Sequence, residues 1–541
     1  MRDDEVAGIE PNTRRGFRRP AYTSPVQCDF VVVGTGSAGS VIASRLSADP
    51  AAKVVVLEAG PMDSDKFVHI PAAFSKLFRS PMDWDYQTEP QKEIGGREIY
   101  WPRGKVLGGS SSMNAMIWAP GFPADYDEWA EYAGEDWNYA HLRTYFNRVE
   151  DGALVISPQR SPRSSTSAWL RAAEQAGYRV TPTGAPMLDE FSQAVVTQRR
   201  GARWSCADAY LKPVLYRRNL NLLTNSTVRR VLFEGTRAVG VEFDDADGRR
   251  QTVRAAREVV LCAGAVNTPQ LLMLSGIGDH KELSEFGIGV VHDAPEVGQN
   301  LRDHLLTPLG FEVHRDSLFA AEKPLELLNY LLRRRGMLTS NVAEAYGFVR
   351  SRPELEHPDI ELIWAPAPFF DEGIAEPYGH GIATGPVLLK PRSSGSITLR
   401  SADPSTKPVI DPRYLSDPEG IDRQALMAGL RVTAKIARSP ALKDVLGKIA
   451  RPLHATTLDD ETLEQALDSC SHTLYHPVGT CRMGRDQRSV VDPQLRVRGV
   501  HGLRVADTSV MPTIIRGHTH APAVVIGEKA ADLIAAGSSD Q

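Results

Sequence analysis

Cysteine is scarce in this chain. Five (Cys28, Cys206, Cys262, Cys470, Cys481) are scattered through 541 residues, with no CxxC pair. That argues against a disulfide scaffold and against a zinc site; no metal is expected, and a reducing, cytoplasmic location is. Long apolar runs are also missing. None reaches the roughly 18 residues that a transmembrane helix needs, so no membrane span is expected. Charge of one sign is not in excess: the formal net charge of -5 gives no reason to expect nucleic acid or an acidic membrane surface as a partner. There is no internal repeat and no evident interaction tail, so a scaffold role has little support. Residues 1–24 carry Arg14, Arg15, Arg18 and Arg19 but lack the apolar stretch of an export signal, and read as a solvated basic tail.

What is present is an ordinary globular composition, 42% hydrophobic and 24% charged, in a chain too long for one ordinary domain. Near its start, Phe30 to Val33 read as a buried parallel strand. Gly34-Thr35-Gly36-Ser37-Ala38-Gly39 is a GxGxxG turn, Ser40 to Ala48 continue as a helix, and Val54 to Leu57 form a second strand ending in Glu58. In such a βαβ unit the first glycine allows the tight turn and the second lets the backbone approach a pyrophosphate. The third lets helix and strand pack closely. Phosphates then sit on the helix N-terminus. Glu58 stands where an acid accepts hydrogen bonds from an adenosine ribose. The unit alone does not separate FAD from NAD.

Further along, about Pro61 to Pro120 is an irregular stretch rich in Gly, Pro and Ser. Helical patterns follow around Trp137 to Val149 and Thr166 to Ala176. Strands are expected at Leu220 to Leu223, Val228 to Phe233, Val239 to Phe243, Glu258 to Cys262, Ile360 to Trp364, Gly395 to Arg400 and Leu503 to Val505. Long helices are expected at Gly420 to Arg438, Glu461 to Cys470 and Ala521 to Ala536. Nucleotide-like pieces at the start, middle and end imply a discontinuous cofactor domain (25–160, 215–305 and 485–541) with a second domain (161–214 and 306–484) interleaved. The fold class is α/β: a Rossmann-like domain plus an α+β domain.

Three further motifs bear on the cofactor. Pro102-Arg103-Gly104-Lys105-Val106-Leu107-Gly108-Gly109-Ser110-Ser111-Ser112-Met113-Asn114-Ala115 cannot form a stable helix or strand by propensity, but can bring N–H groups to a phosphate or ring edge. The run from Ala263 and Gly264 to Gly278 follows the strand ending at Cys262, and its Pro269 suits a first helical turn. The third is Tyr475-His476-Pro477-Val478-Gly479-Thr480, with the later Arg504-Val505-Ala506-Asp507-Thr508-Ser509-Val510-Met511-Pro512 and Gly517-His518-Thr519-His520-Ala521-Pro522.

With these motifs in this order, the chain resembles the glucose-methanol-choline (GMC) family of flavin-dependent oxidoreductases from about Asp29 to Ile534. The resemblance implies FAD and a substrate domain with a large antiparallel sheet. Gly34, Gly36, Ser37, Ala38, Gly39, Glu58 and Ala59 would hold the ADP half, with Val228 meeting adenine through its backbone. Arg103, Lys105, Val106, Gly108, Gly109, Ser110, Asn114, Ala115, Met116 and Ile117 would line the flavin ring and phosphates, with Ala263 and Gly264 near them. Asp507 and the His520-Ala521-Pro522 turn would close over the pyrophosphate and pyrimidine edge. Met113 stands where choline oxidase has the histidine that tethers its flavin, which implies noncovalent FAD.

The same resemblance makes His476 and His518 the catalytic pair. Alcohol oxidation needs a base for the hydroxyl proton and an acceptor for the hydride, and a neutral histidine suits the first role. His476 is assigned as base and His518 as the group that hydrogen-bonds the substrate oxygen; which takes the proton stays open. On the substrate side, Glu312 matches a choline oxidase glutamate that faces a trimethylammonium group. Trp364 stands for a second pocket histidine, and Tyr475, Phe369 and Phe370 are aromatic candidates. The activity implied is oxidation of a small-molecule primary alcohol to an aldehyde, with a choline-like cationic alcohol as one option and a lyase with structural FAD as another. The electron acceptor (O2 or another oxidant) and homo-oligomer formation are left open.

Overall fold

The computed structural model describes residues 26–184, 187–375 and 379–537; the basic tail expected at 1–24 lies outside these. The chain opens with β1 (Val26–Val33), α1 (Ser37–Leu46) and β2 (Val54–Leu57), the expected unit. Val31, Val32 and the whole of β2 are buried, as parallel strands covered on both faces must be. After an irregular stretch and α2 (Ser164–Gln175), the chain returns with β3 (Leu220–Leu223), β4 (Thr227–Glu234), β5 (Arg237–Asp244) and β6 (Arg250–Leu261). The sheet runs β3-β2-β1-β6-β5-β4. It is parallel from β3 to β6 and antiparallel beyond. The sequence placed only Glu258 to Cys262 in β6. The strand is longer because its first half, polar and half-exposed, is held between β1 and β5, with Val253 to Ala255 paired to Val26 to Cys28; only its apolar second half carries the sequence signal of a buried strand.

Next comes α3 (Gly264–Leu274). Pro269 lies inside it and not in its first turn, which corrects the sequence expectation. A proline there removes the hydrogen bond to the carbonyl four residues back. That carbonyl, Ala265 O, accepts instead from Thr480 Oγ1 at 2.7 Å.

The second sheet begins with β7 (Leu305–Leu306) and β8 (Leu309–Glu312). After α4 (Pro324–Arg333) come β9 (Ala345–Val349), β10 (Ile360–Ala365) and β11 (Gly381–Leu388). Beyond α5 (Ile421–Ala437) lie β12 (Ile449–Arg451) and β13 (His472–Thr473). This sheet is antiparallel, in the order β9-β10-β11-β7-β13, with β8 bridging β11 and β12. One face packs on α2 and α5, where Trp169 stacks on Trp364 at 5.7 Å. Expected strand Gly395 to Arg400 is shorter (Ser396–Thr398) and belongs to a separate ribbon with Val409–Asp411.

The chain finally rejoins the first sheet. β14 (Leu503–Val505) pairs parallel with β6, and α6 (His520–Gly537) lies against α1. Gly527 permits the closeness: a Cβ there would stand 2.8 Å from Ala38 Cα.

Candidate active site

A large cavity of about 470 Å³ runs from the GxGxxG turn between the sheets to His476 and His518. At its first end, Gly34 holds φ +96°, and a Cβ there would meet Cys262 O at 2.5 Å. A Cβ on Gly39 would collide with Gly34 O, so Gly39 serves packing and not the lining. A Cβ on Gly36 would meet nothing, because it would project into the open cavity. That bare backbone at the head of α1 is a cradle for a pyrophosphate. Glu58 is buried beside it. Its carboxylate accepts from Thr35 N (3.0 Å), Thr35 Oγ1 (2.5 Å) and Gly60 N (2.9 Å). Burial pushes its pKa up, against those donors and the charge of Lys105.

The lining includes Ser37, Ala38, Ala59, Arg103, Lys105, Gly109, Ser110, Asn114, Ala115, Met116, Ile117, Val228, Ala263, Gly264, Asp507 and His520. Val106, Gly108, Ala521 and Pro522 were expected at the cofactor but stand behind the lining. Gly108 supports it from there, donating its N–H to Thr35 Oγ1 at 3.1 Å. Asp507 caps the start of α3, accepting from Gly264 N (2.9 Å) and Thr268 Oγ1 (2.6 Å). His520 Nδ1 lies 2.9 Å from Ser37 Oγ, tying the head of α6 to the phosphate turn. These residues fit FAD: a phosphate cradle, an acid by the ribose position, and a long cleft onward to a reacting pair.

At the far end the rings of His476 and His518 lie 4.8 Å apart, centroid to centroid. The segment carrying His476 is held by Asp303, whose carboxylate accepts from His476 N (2.8 Å), Thr473 Oγ1 (2.6 Å) and the Tyr414 hydroxyl. Tyr475 adopts φ +68°, an unfavourable conformation for a large side chain. Arg103 fixes it by donating to Tyr475 O at 2.7 Å, while Thr473 Oγ1 accepts from Tyr475 N at 2.7 Å.

Behind His476 stands a residue that sequence reasoning did not single out. His304, fully buried, places Nδ1 2.9 Å from His476 Nδ1 and Nε2 3.1 Å from both Leu389 O and Ile515 O. Carbonyls only accept, so His304 Nε2 carries a hydrogen. Burial, then the neighbouring His518, lowers its pKa to about 3, so it is neutral. Its Nδ1 is therefore an acceptor, and His476 must donate Nδ1–H to it. His476 is left with a free lone pair on Nε2. Burial, then His518 and His304, also holds His476 well below its ordinary 6.5.

His518 has a different backing: its Nε2 lies 3.0 Å from Glu361 Oε1. Glu361, on β10, is fully buried, and its other oxygen has no partner among the described residues. The sequence signal for Glu361 was faint, a lone acid alternating with apolar neighbours on a strand.

Three substrate-side expectations fail. Glu312 is exposed at the end of β8 and does not reach the cavity. Trp364 faces away, against Trp169, because strand residues alternate; its neighbours Ile363 and Ala365 face the cavity instead. Tyr475 and Phe369 line it, but Phe370 does not. The acids in the lining, Glu58, Asp83 and Asp507, are all engaged by donors. His472 lines the cavity too, with Nδ1 2.8 Å from Thr473 O.

A Rossmann-like sheet opening onto a buried histidine pair defines a dinucleotide-dependent oxidoreductase. The chain belongs to the GMC oxidoreductase family: models of that family match residues 28–306 and 391–527. It is 65% identical to an uncharacterized GMC-type oxidoreductase of Mycobacterium tuberculosis, over 94% of this chain and 99% of the relative. It is 40% identical to an alcohol dehydrogenase [acceptor] of Pseudomonas putida (94% and 95% covered) and 40% to the mitochondrial choline dehydrogenase of Homo sapiens (93% and 89%). Among solved structures it is similar to pyridoxine 4-oxidase from Mesorbium loti, 31% identical with a TM-score of 0.84 over 93% and 98% of the chains. The family and its structural neighbours are FAD-binding flavoproteins.

The two glycines separate cradle from packing. Gly36→Leu should fold with unchanged stability but purify colourless by visible absorbance. Gly39→Val should lose roughly 1–3 kcal/mol of stability in denaturant titration, the cost of overpacking.

The buried histidines set an acid limit. His472 and His520 are lowered to about 4, mainly by burial, and His304 to about 3. Unfolded, they take protons once pH drops below about 6.5; folded, they do not. Their contribution to stability is complete above about 6.5 and is lost as pH falls toward their folded values. Glu58, Asp303 and Asp507 are raised by burial and act in the opposite sense. Urea unfolding should therefore show stability falling between pH 6.5 and 5. In His472→Phe the slope should shrink by about 1.4 kcal/mol per pH unit, the share of one proton.

Proposed function

We propose that this protein oxidises an uncharged, largely apolar primary alcohol to the aldehyde, using noncovalently held FAD. The observation that carries the reading is the hydrogen-bond chain from two backbone carbonyls through His304 to His476. It leaves an unprotonated nitrogen, His476 Nε2, on the cavity side of a ring held neutral. Such a nitrogen accepts a hydroxyl proton. His518 lies beside it, facing the same space, and the Glu361 carboxylate orients its ring. As the proton reaches His476, the carbon–oxygen double bond forms and the hydride leaves the same carbon. Bound FAD would supply the hydride acceptor. The interleaved domains (25–160, 215–305 and 485–541 against 161–214 and 306–484) are supported by where the two sheets draw their strands.

The substrate class follows from the walls. Ile363, Ala365, Val342, Phe74, Phe78 and Phe369 present apolar surface, and every carboxylate in the lining already has donors. A quaternary ammonium would find no free counter-charge, with Glu312 outside the cavity. Met113 is buried against Val68 and Leu77 and offers no nucleophile for a covalent tether.

Anaerobic stopped-flow mixing with benzyl alcohol, a medium-chain alkanol, choline and a sugar alcohol tests this. The apolar alcohols should bleach the flavin and choline should not; admitting air then distinguishes an oxidase from a dehydrogenase. His476→Ala should stay yellow and bleach at least roughly a hundredfold more slowly. His304→Ala should slow bleaching roughly tenfold to a hundredfold, as loss of an orienting partner does, and shift the pH profile. Bleaching at the wild-type rate in His476→Ala would remove it as the base.

A further inference from the structure

No described helix is long and apolar enough to cross a membrane. One helix, however, wears its apolar stripe on the outside. α4 reads PLELLNYLLR, and Leu325, Leu327, Leu328, Leu331 and Leu332 are all exposed, Leu325 at 79% and Leu332 at 74%. At 100° per residue these five occupy one continuous side of the helix. The side turned to the protein is the polar one. Tyr330 is buried there, donating its hydroxyl to His69 O at 3.3 Å, and Glu326 accepts the Met337 N–H at 2.9 Å. A surface helix normally buries its apolar stripe; an exposed stripe of this extent marks an interaction surface.

The flanking charges say what covers it. Lys323 precedes the helix and Arg333, Arg334 and Arg335 end it. Lys323, Arg333 and Arg335 have no carboxylate partner among the described residues, and Arg334 lies over the Tyr330 ring at 4.6 Å. The two acids of the segment are engaged: Glu322 with Lys76 at 2.5 Å and Glu326 with Met337. A second copy of this surface, docked about a two-fold axis, would set these basic ends against one another. A leucine face bounded by unpaired cations fits instead a bilayer with anionic headgroups, with the leucines among the acyl chains and the cations at the phosphates. The net charge of -5 does not oppose this, since charges beyond about 10 Å are largely screened.

We propose that α4 docks this enzyme on the surface of a membrane containing anionic phospholipid. The location suits the proposed activity, on which this last step rests. Tyr330 packs with Ala321 and Leu338 against Ile70 and Ala72, beside the 3-10 turn Pro71–Leu77, whose Phe74 lines the cavity. An apolar alcohol dissolved in the bilayer would then meet the enzyme on the side where the cavity wall is aromatic.

The test is flotation of the yellow, full-length protein with vesicles of phosphatidylcholine alone or mixed with phosphatidylglycerol. Wild type should float with the mixed vesicles, less with phosphatidylcholine alone, and less as salt rises. Leu325→Gln/Leu328→Gln/Leu332→Gln should lose at least tenfold in binding while keeping its flavin and its rate with water-soluble alcohols. Arg333→Glu/Arg334→Glu/Arg335→Glu should lose the preference for phosphatidylglycerol. No flotation of wild type, or equal flotation of the leucine variant, overturns the proposal. So does a wild type that is dimeric by light scattering and ignores vesicles, with a monomeric leucine variant; the stripe would then belong to a second copy. Vesicle binding without flavin bleaching by any alcohol would keep the surface and reject the proposed activity.

Discussion

Two carbonyl oxygens, Leu389 O and Ile515 O, decide the state of the reacting end of this molecule. They come from segments far apart in sequence and converge on one nitrogen of His304. Because a carbonyl can only accept, the proton position on His304 is set by backbone geometry, and that of His476 follows from it. Each residue of this relay is buried in a place where a charge would be costly, so the chain transmits a tautomer and not a charge. The second histidine of the pair is differently equipped. A carboxylate, not an imidazole, stands behind His518. Two residues of the same type thus face the same space with different partners behind them, which is how one residue type comes to serve two roles.

The remainder of the fold brings these pieces to one place. The first sheet delivers the phosphate turn, and the second provides a wall whose alternate residues reach the cavity. The segment 473–476 lies between them, held by Asp303 and Arg103 in a backbone conformation that Tyr475 would not choose alone. Burial does opposite things to the two kinds of titratable group it encloses. It lowers the affinity of His304 and His476 for protons and makes Glu58 and Asp303 harder to ionise.

Much of this was legible in the sequence, for identifiable reasons. The βαβ unit was readable because its signals are local: an apolar run, glycines at fixed offsets, and an acid at a fixed distance. His476 and His518 were readable because they sit in long motifs. His304 was not, because its meaning depends on partners at Leu389, His476 and Ile515 that only the fold assembles. Trp364 shows how little separates a right from a wrong inference on a strand. The strand was correctly placed, but the cavity side belongs to Ile363, one residue away. Glu312 failed for a related reason: it ends β8 where the sheet edge meets solvent. α4 was not singled out from the sequence, and the outward side of its leucines could not have been, since periodicity reports that a helix has two sides but not which one faces inward.

The late return of the chain to the first sheet bears on how the protein acquires its fold. α1 offers Ala38 and Val41 to Gly527 of α6, and β6 waits for Leu503–Val505. The phosphate turn is synthesised near the start, yet the helix that covers it and the strand that completes its sheet are synthesised near the end. Contacts of such long sequence separation form slowly, because a large loop must close before they yield any stabilisation. Throughout that interval the nascent chain carries an uncovered apolar helix face beside an incomplete parallel sheet, the kind of surface that aggregates or recruits chaperones. The architecture that places the cofactor between the two ends of the chain also makes its site one of the last parts of the protein to be finished.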